Sequence, residues 1–190
     1  INDTAIGYNA LKVCTVGSIN TVVGSGAGQA INSGYGNSLL GYQAGAALTT
    51  QMYTVAIGAN ALSTAVAAGD YSTAVGYASM LGLTSGTNNS ALGAYAGRYI
   101  ASFIISLLIG KCTKAQASAQ TNQNVFGYNA VGLGSNSSVI GNSSVTVFKA
   151  FGTPILTPAA SSVPTVNGEL TVEATSNTTL TFRLKGTDGT

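Results

Sequence analysis

Histidine and tryptophan are absent from this chain of 190 residues, cysteine occurs twice, proline three times, and charged residues make up only 6%. Each shortage excludes something. Without histidine, and with Cys14 and Cys112 outside any CxxC pair, the ligand set of a zinc site is missing. The five carboxylates, Asp3, Asp70, Glu169, Glu173 and Asp188, show no recurrent pairing, so neither an acid–base couple nor a cofactor is expected, and the chain does not read as an enzyme. The seven basic residues are spread from Lys12 to Lys185 with no more than two close together, as at Lys111 and Lys114, which is not the clustered charge of a nucleic-acid surface. The longest apolar run, Ile100 to Ile109, holds two serines and falls well short of the roughly 20 residues of a spanning helix, so membrane insertion is not expected. No basic start leads into an apolar core and cleavage site, and the first residue is Ile, so a processed or truncated N-terminus is expected.

What is present is apolar and repetitive. Hydrophobic residues make up 45% of the chain, too many for a disordered one. Aligned on the glycine of "TAIGYNA", the chain shows Gly7, Gly24, Gly41, Gly58, Gly76, Gly93, Gly110, Gly127 and Gly141, spaced 17, 17, 17, 18, 17, 17, 17 and 14 residues apart. Before each glycine stand two apolar residues, from Ala5-Ile6 and Val22-Val23 to Val125-Phe126 and Val139-Ile140. Three after it comes a small residue (Ala10, Ala27, Ala44, Ala61, Ser79, Ala96, Thr113, Ala130), and seven after it a mostly apolar one, Cys14 to Ala117. Four before it sits a turn former or hydroxyl, the series Asp3, Asn20, Asn37, Thr54, Ser72, Asn89, Ser106, Gln123, Ser137. Further glycines at Gly17, Gly34, Gly69 and Gly86 suit turns of positive φ, while Gln51, Phe103 and Gln120 break that series and imply turns built differently.

A coil of about 17 residues has room for two strands of 4 to 5 residues and two turns, but not for the 33 or so of a two-helix repeat. The chain is therefore expected to be all-β, a narrow parallel β-roll or β-solenoid whose rungs stack at about 4.8 Å. The small residue three after each glycine lets the opposed walls approach, and the glycine marks a bend or close backbone contact. "GSGAG" at Gly24 to Gly28 begins on a repeat glycine and lacks the Lys-Ser/Thr of a phosphate loop. Cys14 and Cys112 fall six rungs apart, about 29 Å at that spacing, too far for a disulfide, and are expected to be inert core thiols. Two adjacent apolar positions in one short strand bury both of its faces, and the outer face needs a partner; a ring of three chains would supply it.

After Gly141 the period stops. Residues 142–164 hold all three prolines and read as a transition between the repeats (1–141) and a small β-hairpin module (165–190) expected to cover the solenoid's end. In that module Leu170, Val172, Ala174 and Leu180, Phe182, Leu184 alternate with polar residues around "TSNT".

The stretches "TAIGYNAL", "STAVGYAS", "NSALGAYAG" and "SSVIGNSS" resemble the head repeats of trimeric autotransporter adhesins, a left-handed parallel β-roll family, and the spacing with "GYNAL" resembles still more the same repeats in bacteriophage tail fibres. The closing "GELTVEATSNTTLTFRLKGTDGT" is similar to C-terminal segments of phage tail proteins. The resemblance implies a homotrimer on a virion: a structural shaft or receptor-binding section of a tail fibre, meeting other tail or fibre proteins and a host surface glycan or protein. It equally implies a runner-up, the head of a trimeric adhesin on a bacterial surface that binds host matrix. No heptad run follows the repeats, which favours the phage side. An ice-binding array would need an unbroken threonine column, but Thr4, Thr21 and Thr73 are interrupted by Ser38, Val55, Ser90, Leu107 and Asn124. Tyr8, Tyr42, Tyr77 and Tyr128 each follow a repeat glycine and are the candidate glycan contacts, though packing at a subunit seam would explain them as well.

Overall fold

The computed structural model describes residues 2–65, 67–99, 102–145, 170–176 and 179–184. All of its regular structure is β, with no helix among the described residues. Strands β1 (Thr4–Ile6), β2 (Thr21–Val23), β3 (Ser38–Leu40), β4 (Val55–Ile57), β6 (Thr73–Val75), β8 (Ser90–Leu92), β10 (Leu107–Ile109), β12 (Gln123–Phe126) and β13 (Ser137–Ile140) form one parallel sheet in that order. Successive coils pair in the expected register, Ala5 on Val22, Leu39 on Ala56, Ala74 on Ala91 and Leu108 on Val125, and the last step, Val125 on Val139, absorbs the short 14-residue coil. The chain is a parallel β-solenoid of about eight turns, one coil per repeat.

The strands are shorter than expected, and the opposite wall is not a continuous sheet. It holds two-residue pairs, β5 (Ala67–Ala68) with β7 (Ser85–Gly86) and β9 (Phe103–Ile104) with β11 (Gln120–Thr121), plus single bridges such as Tyr35 to Met52. The turns still bond coil to coil: Gly26 N donates to Tyr8 O (2.8 Å), and Gly28 N to Ala44 O (2.9 Å). Left-handed residues recur two and four after the repeat glycine, as at Asn9 and Leu11, Gly26 and Gly28, Asn60 and Leu62, Ala78 and Met80. Alternating handedness keeps the turn's N–H and C=O groups along the stacking axis, where the next coil meets them. "GSGAG" is thus one of these turns with glycines at its two left-handed places.

The interior is one column of small clusters. Val22, Leu39, Ala56, Ala74, Ala91, Leu108 and Val125 face inward from the sheet and meet Ala27, Ala44, Ala61, Ser79, Ala96, Thr113 and Ala130, all buried. Volume trades between sheet and turn in several coils, though not in that of Ala91, whose turn place holds Gly97. Where the sheet supplies Leu39, the left-handed turn place holds glycine, and a Cβ on Gly28 or Gly45 would meet Leu39 Cδ1 at 2.9 or 3.0 Å. Where it supplies Ala56 or Ala74, that place holds the fully buried Leu62 or Met80. Ala117, expected inside, is exposed. In its coil Lys114 holds the place of Leu62 and Met80; its ammonium must stay in water, and Ala115 is buried instead.

The series four before the glycine is not a set of solvated turn residues. Asn20, Asn37, Thr54, Ser72, Asn89, Ser106 and Gln123 are buried and form an internal polar ladder. Asn20 N donates to Asp3 Oδ1 at 2.7 Å, Asn37 N to Asn20 Oδ1 at 3.0 Å, Thr54 N to Asn37 Oδ1 at 3.0 Å, Asn89 N to Ser72 Oγ at 3.1 Å, Ser106 N to Asn89 Oδ1 at 3.1 Å and Gln123 N to Ser106 Oγ at 3.3 Å. The side-chain oxygens of Asp3, Asn20, Asn37, Ser72, Asn89 and Ser106 thus accept the backbone N–H of the same position one coil on. The ladder breaks at Thr54, where its Oγ1 (2.7 Å) and Ser72 N (2.9 Å) both donate to Gly69 O instead. The residue before each ladder member is left-handed, whatever its type: Ile19, Gly36, Tyr53, Tyr71, Asn88, Ile105, Asn122 and Asn136. Of the glycines expected to serve these turns, Gly69 and Gly86 have φ of +108° and +110°, whereas Gly17 and Gly34 are required by proximity. A Cβ on either would meet the next coil's carbonyl, Gly34 O at 2.6 Å or Gln51 O at 2.7 Å. At Gln51 the turn is closed differently, its Oε1 accepting from Thr49 N (2.6 Å) and Thr50 N (3.0 Å).

Gln123 is the ladder's misfit. One methylene longer than asparagine, it leaves its buried Nε2 and Oε1 without partners. Gln123→Asn shortens it to the reach used by Asn37 and is expected to raise stability by about 1–2 kcal/mol, the penalty of the orphaned amide. An unchanged or lower melting temperature would contradict that.

The chain divides into Ile1–Thr146 and Val147–Thr190. In the second unit β14 (Leu170–Ser176) and β15 (Thr179–Leu184) pair antiparallel, with Leu170 opposite Leu184, Val172 opposite Phe182 and Ala174 opposite Leu180. The rest of the transition and module, residues 146–169, 177–178 and 185–190, lies outside the described residues.

Candidate functional site

Chemistry is sparse on this surface. Among the described residues no cluster of histidine, cysteine or carboxylate groups can hold a metal ion. What the solenoid presents instead is geometry repeated along an axis. The residue immediately before each repeat glycine points outward from the sheet, and Ile6 (60%), Leu40 (50%), Ile57 (38%), Leu92 (51%) and Ile140 (59%) are exposed, with Val23, Val75, Ile109 and Phe126 half-buried between them. Strand pairing lines them up, Ile6 on Val23, Val23 on Leu40, Leu40 on Ile57 and so on to Phe126 on Ile140. The result is one unbroken apolar stripe running the length of the sheet, uncovered in the single chain.

The four sequence-nominated tyrosines lie beside that stripe and are exposed, Tyr8 most of all. They do not form one site. Tyr8 and Tyr42 share a cleft of about 180 Å³ with Asn9, Ser25, Gln29 and Gln43. Tyr77 meets Tyr95 edge to face at 5.1 Å, and Tyr128 lies under the Lys111 ammonium at 6.0 Å. The repeat glycines, in contrast, are positioned alike. From Gly7 to Gly110 each would drive a Cβ into the backbone of the next repeat glycine, and they act in the scaffold alone.

Two features escaped the sequence reading. Tyr35, Tyr53 and Tyr71 form an aromatic column on the other wall, with ring centroids 5.5 and 5.4 Å apart. Arg98 packs its guanidinium over Tyr95 at 4.6 Å and Tyr99 at 4.8 Å, beside a cleft of about 250 Å³ lined by Tyr95, Tyr99, Cys112, Thr113, Lys114, Asn129 and Val131. Cys112 is therefore no core thiol but a half-buried turn residue, at φ 59°. Cys14 is half-buried against the core edge, with Sγ 3.8 Å from Asp3 Oδ2. Burial first, and then the Asp3 carboxylate, push the Cys14 thiol up from its ordinary value. It stays protonated at neutral pH, so Asp3→Asn is expected to speed its alkylation by iodoacetamide, followed by peptide mass spectrometry. An unaltered rate would dismiss the electrostatic part of that account.

No family model matches the chain, and no curated protein or solved structure matches it either.

Proposed function

We propose that the chain is a trimeric fibre protein, the shaft or receptor-binding section of a bacteriophage tail fibre, that attaches the virion to the host surface. The observation that carries this is the continuous apolar stripe on the sheet's outer face. A monomeric protein rarely exposes an apolar surface that runs its full length, and such a patch marks an association site. Three copies around a common axis bury three stripes against one another at once, with each rung repeating the same contact. Covering what remains exposed of Ile6, Leu40, Ile57, Leu92 and Ile140 contributes on the order of 5 kcal/mol per chain. The rungs' backbone bonding adds rigidity along the fibre.

The repeat resemblance supplies the setting, and the antiparallel hairpin that follows the repeats in place of a coiled-coil stalk favours the phage fibre over the adhesin head. Purified protein offered to bacterial cells and to immobilised animal matrix proteins separates the two. Adsorption to bacteria supports the fibre; retention on matrix alone supports the adhesin. The stripe is tested by Leu40→Lys combined with Leu92→Lys, which is expected to reduce the assembly to single chains by light scattering. Full-size particles from that variant would sink the stripe as the seam.

A further inference from the structure

We infer that the cleft beside Arg98 binds an acidic saccharide, a sugar unit bearing a carboxylate or a phosphate. The biological role of such a site rests on the attachment reading above, which it deepens by naming the ligand class; the site itself rests on its own geometry. Residues 1–146 hold only four cations and two carboxylates, and three of those cations, Arg98, Lys111 and Lys114, belong to the coils that build this cleft and its margin. Among the described residues none of the three is ion-paired.

Three features of the cleft match an acidic sugar. Its walls include Tyr95 and Tyr99, the latter 74% exposed, which offer ring surface to the apolar face of a pyranose. The Arg98 guanidinium carbon lies 4.6 Å from the Tyr95 ring centroid and 4.8 Å from that of Tyr99, which holds at the cleft's margin a group whose N–H fork matches a carboxylate or phosphate. Lys114 adds a second positive charge and Asn129 an amide suited to sugar hydroxyls. A volume of about 250 Å³ is at the small end for a ligand pocket and suits one or two sugar units of a longer chain. The cleft of Tyr8 and Tyr42 provides an internal contrast, since it has aromatic rings and amides but no cation.

The test is calorimetric titration of the full chain with an oligogalacturonate, with the same oligomer fully methyl-esterified, and with a phosphorylated oligomannose. The acidic probes, or one of them, are expected to bind and to weaken as salt rises, the ester not to bind; which acidic probe binds tells carboxylate from phosphate. Arg98→Gln and Lys114→Gln are each expected to weaken binding about tenfold, the loss of one charge-assisted hydrogen bond. Melting temperature and molar mass of both variants should match the parent. Equal binding of the ester, silence of both acidic probes, or undiminished binding by the two variants would each overturn the inference. Particle mass measured on the same samples keeps the two proposals apart: a trimer that ignores both acids removes the site and leaves the fibre, and a monomer that binds them does the reverse.

Discussion

Gly76→Ala is expected to destabilise the solenoid by roughly 4 kcal/mol or more, enough to abolish folding at ordinary temperature, whereas Gly26→Ala should cost only about 1 kcal/mol. Both glycines have positive φ, but they are not equivalent. Gly76 sits at +132°, a region closed to L side chains, and a Cβ there would meet the Gly93 carbonyl carbon and oxygen at 2.5 Å and Ala94 N at 2.9 Å. Those are backbone atoms bonded into the next coil, so relief at one rung shifts the rungs after it. Gly26, at +68°, lies in the left-handed region that Asn9, Asn60 and Ala78 occupy at the same place in other coils. Its Cβ would meet first the flexible Gln43 side chain, at 3.3 Å. Urea unfolding at fixed chain concentration reads the difference, and equal losses at the two sites would mean that the stacked backbone contact has been misjudged.

Asn37→Ala should cost about 3–4 kcal/mol, because several buried groups lose partners together. The Asn37 side chain accepts from Thr54 N at 3.0 Å and donates from Nδ2 to Asn20 Oδ1 at 3.0 Å and to Gln51 O at 2.8 Å. Alanine leaves Thr54 N and Gln51 O without those bonds in a place water does not reach. Asn37→Asp is more informative. Asp3 shows that a carboxylate can start the ladder where it is partly exposed, but at Asn37 the charge would be buried and set against Gln51 O and Asn20 Oδ1. Burial raises the folded-state pKa of such a carboxylate above the unfolded value of about 3.9. The unfolded chain then releases the proton first, so the variant should be near parental stability at about pH 4 and lose it as pH rises toward 7. Chemical denaturation across that range checks the sign; a variant equally stable throughout would place Asn37 in contact with solvent.

How much of this was legible in the sequence depended on whether a physical demand left a residue-type signature. The repeat glycines did, because a Cβ is barred by the neighbouring backbone at rung after rung, and so did the inward Val22 and Leu39 and the outward Val23 and Leu40, because each repeats with the coil. The ladder did not. An asparagine reads as a turn former when isolated, and nothing in Asn20 or Asn37 alone says that its amide is enclosed and passed from coil to coil. Left-handed backbone at Leu11, Ile19, Leu62, Met80 and Ile105 was equally invisible, since those side chains ordinarily avoid it; here coil-to-coil bonding overrides local preference. The Tyr35, Tyr53, Tyr71 column was hidden by phase, lying 11, 12 and 13 residues after Gly24, Gly41 and Gly58. Arg98, Tyr95 and Tyr99 occur in one coil only, so a search for period passes over the cleft they help to build.

In the fibre proposed above, the stripe holds the chains together and the cleft meets the target. The association face must be apolar and repeated, because every rung contributes to it. A recognition site needs chemistry in one place only, and the coils around Arg98 are where the repeat gives way to charge and aromatic rings.

The most direct test of the seam is the molar mass of the purified chain by light scattering on a size-exclusion column. The apolar stripe predicts three chains of 18.9 kDa, about 57 kDa, at micromolar concentration. A clean monomer at that concentration would contradict it.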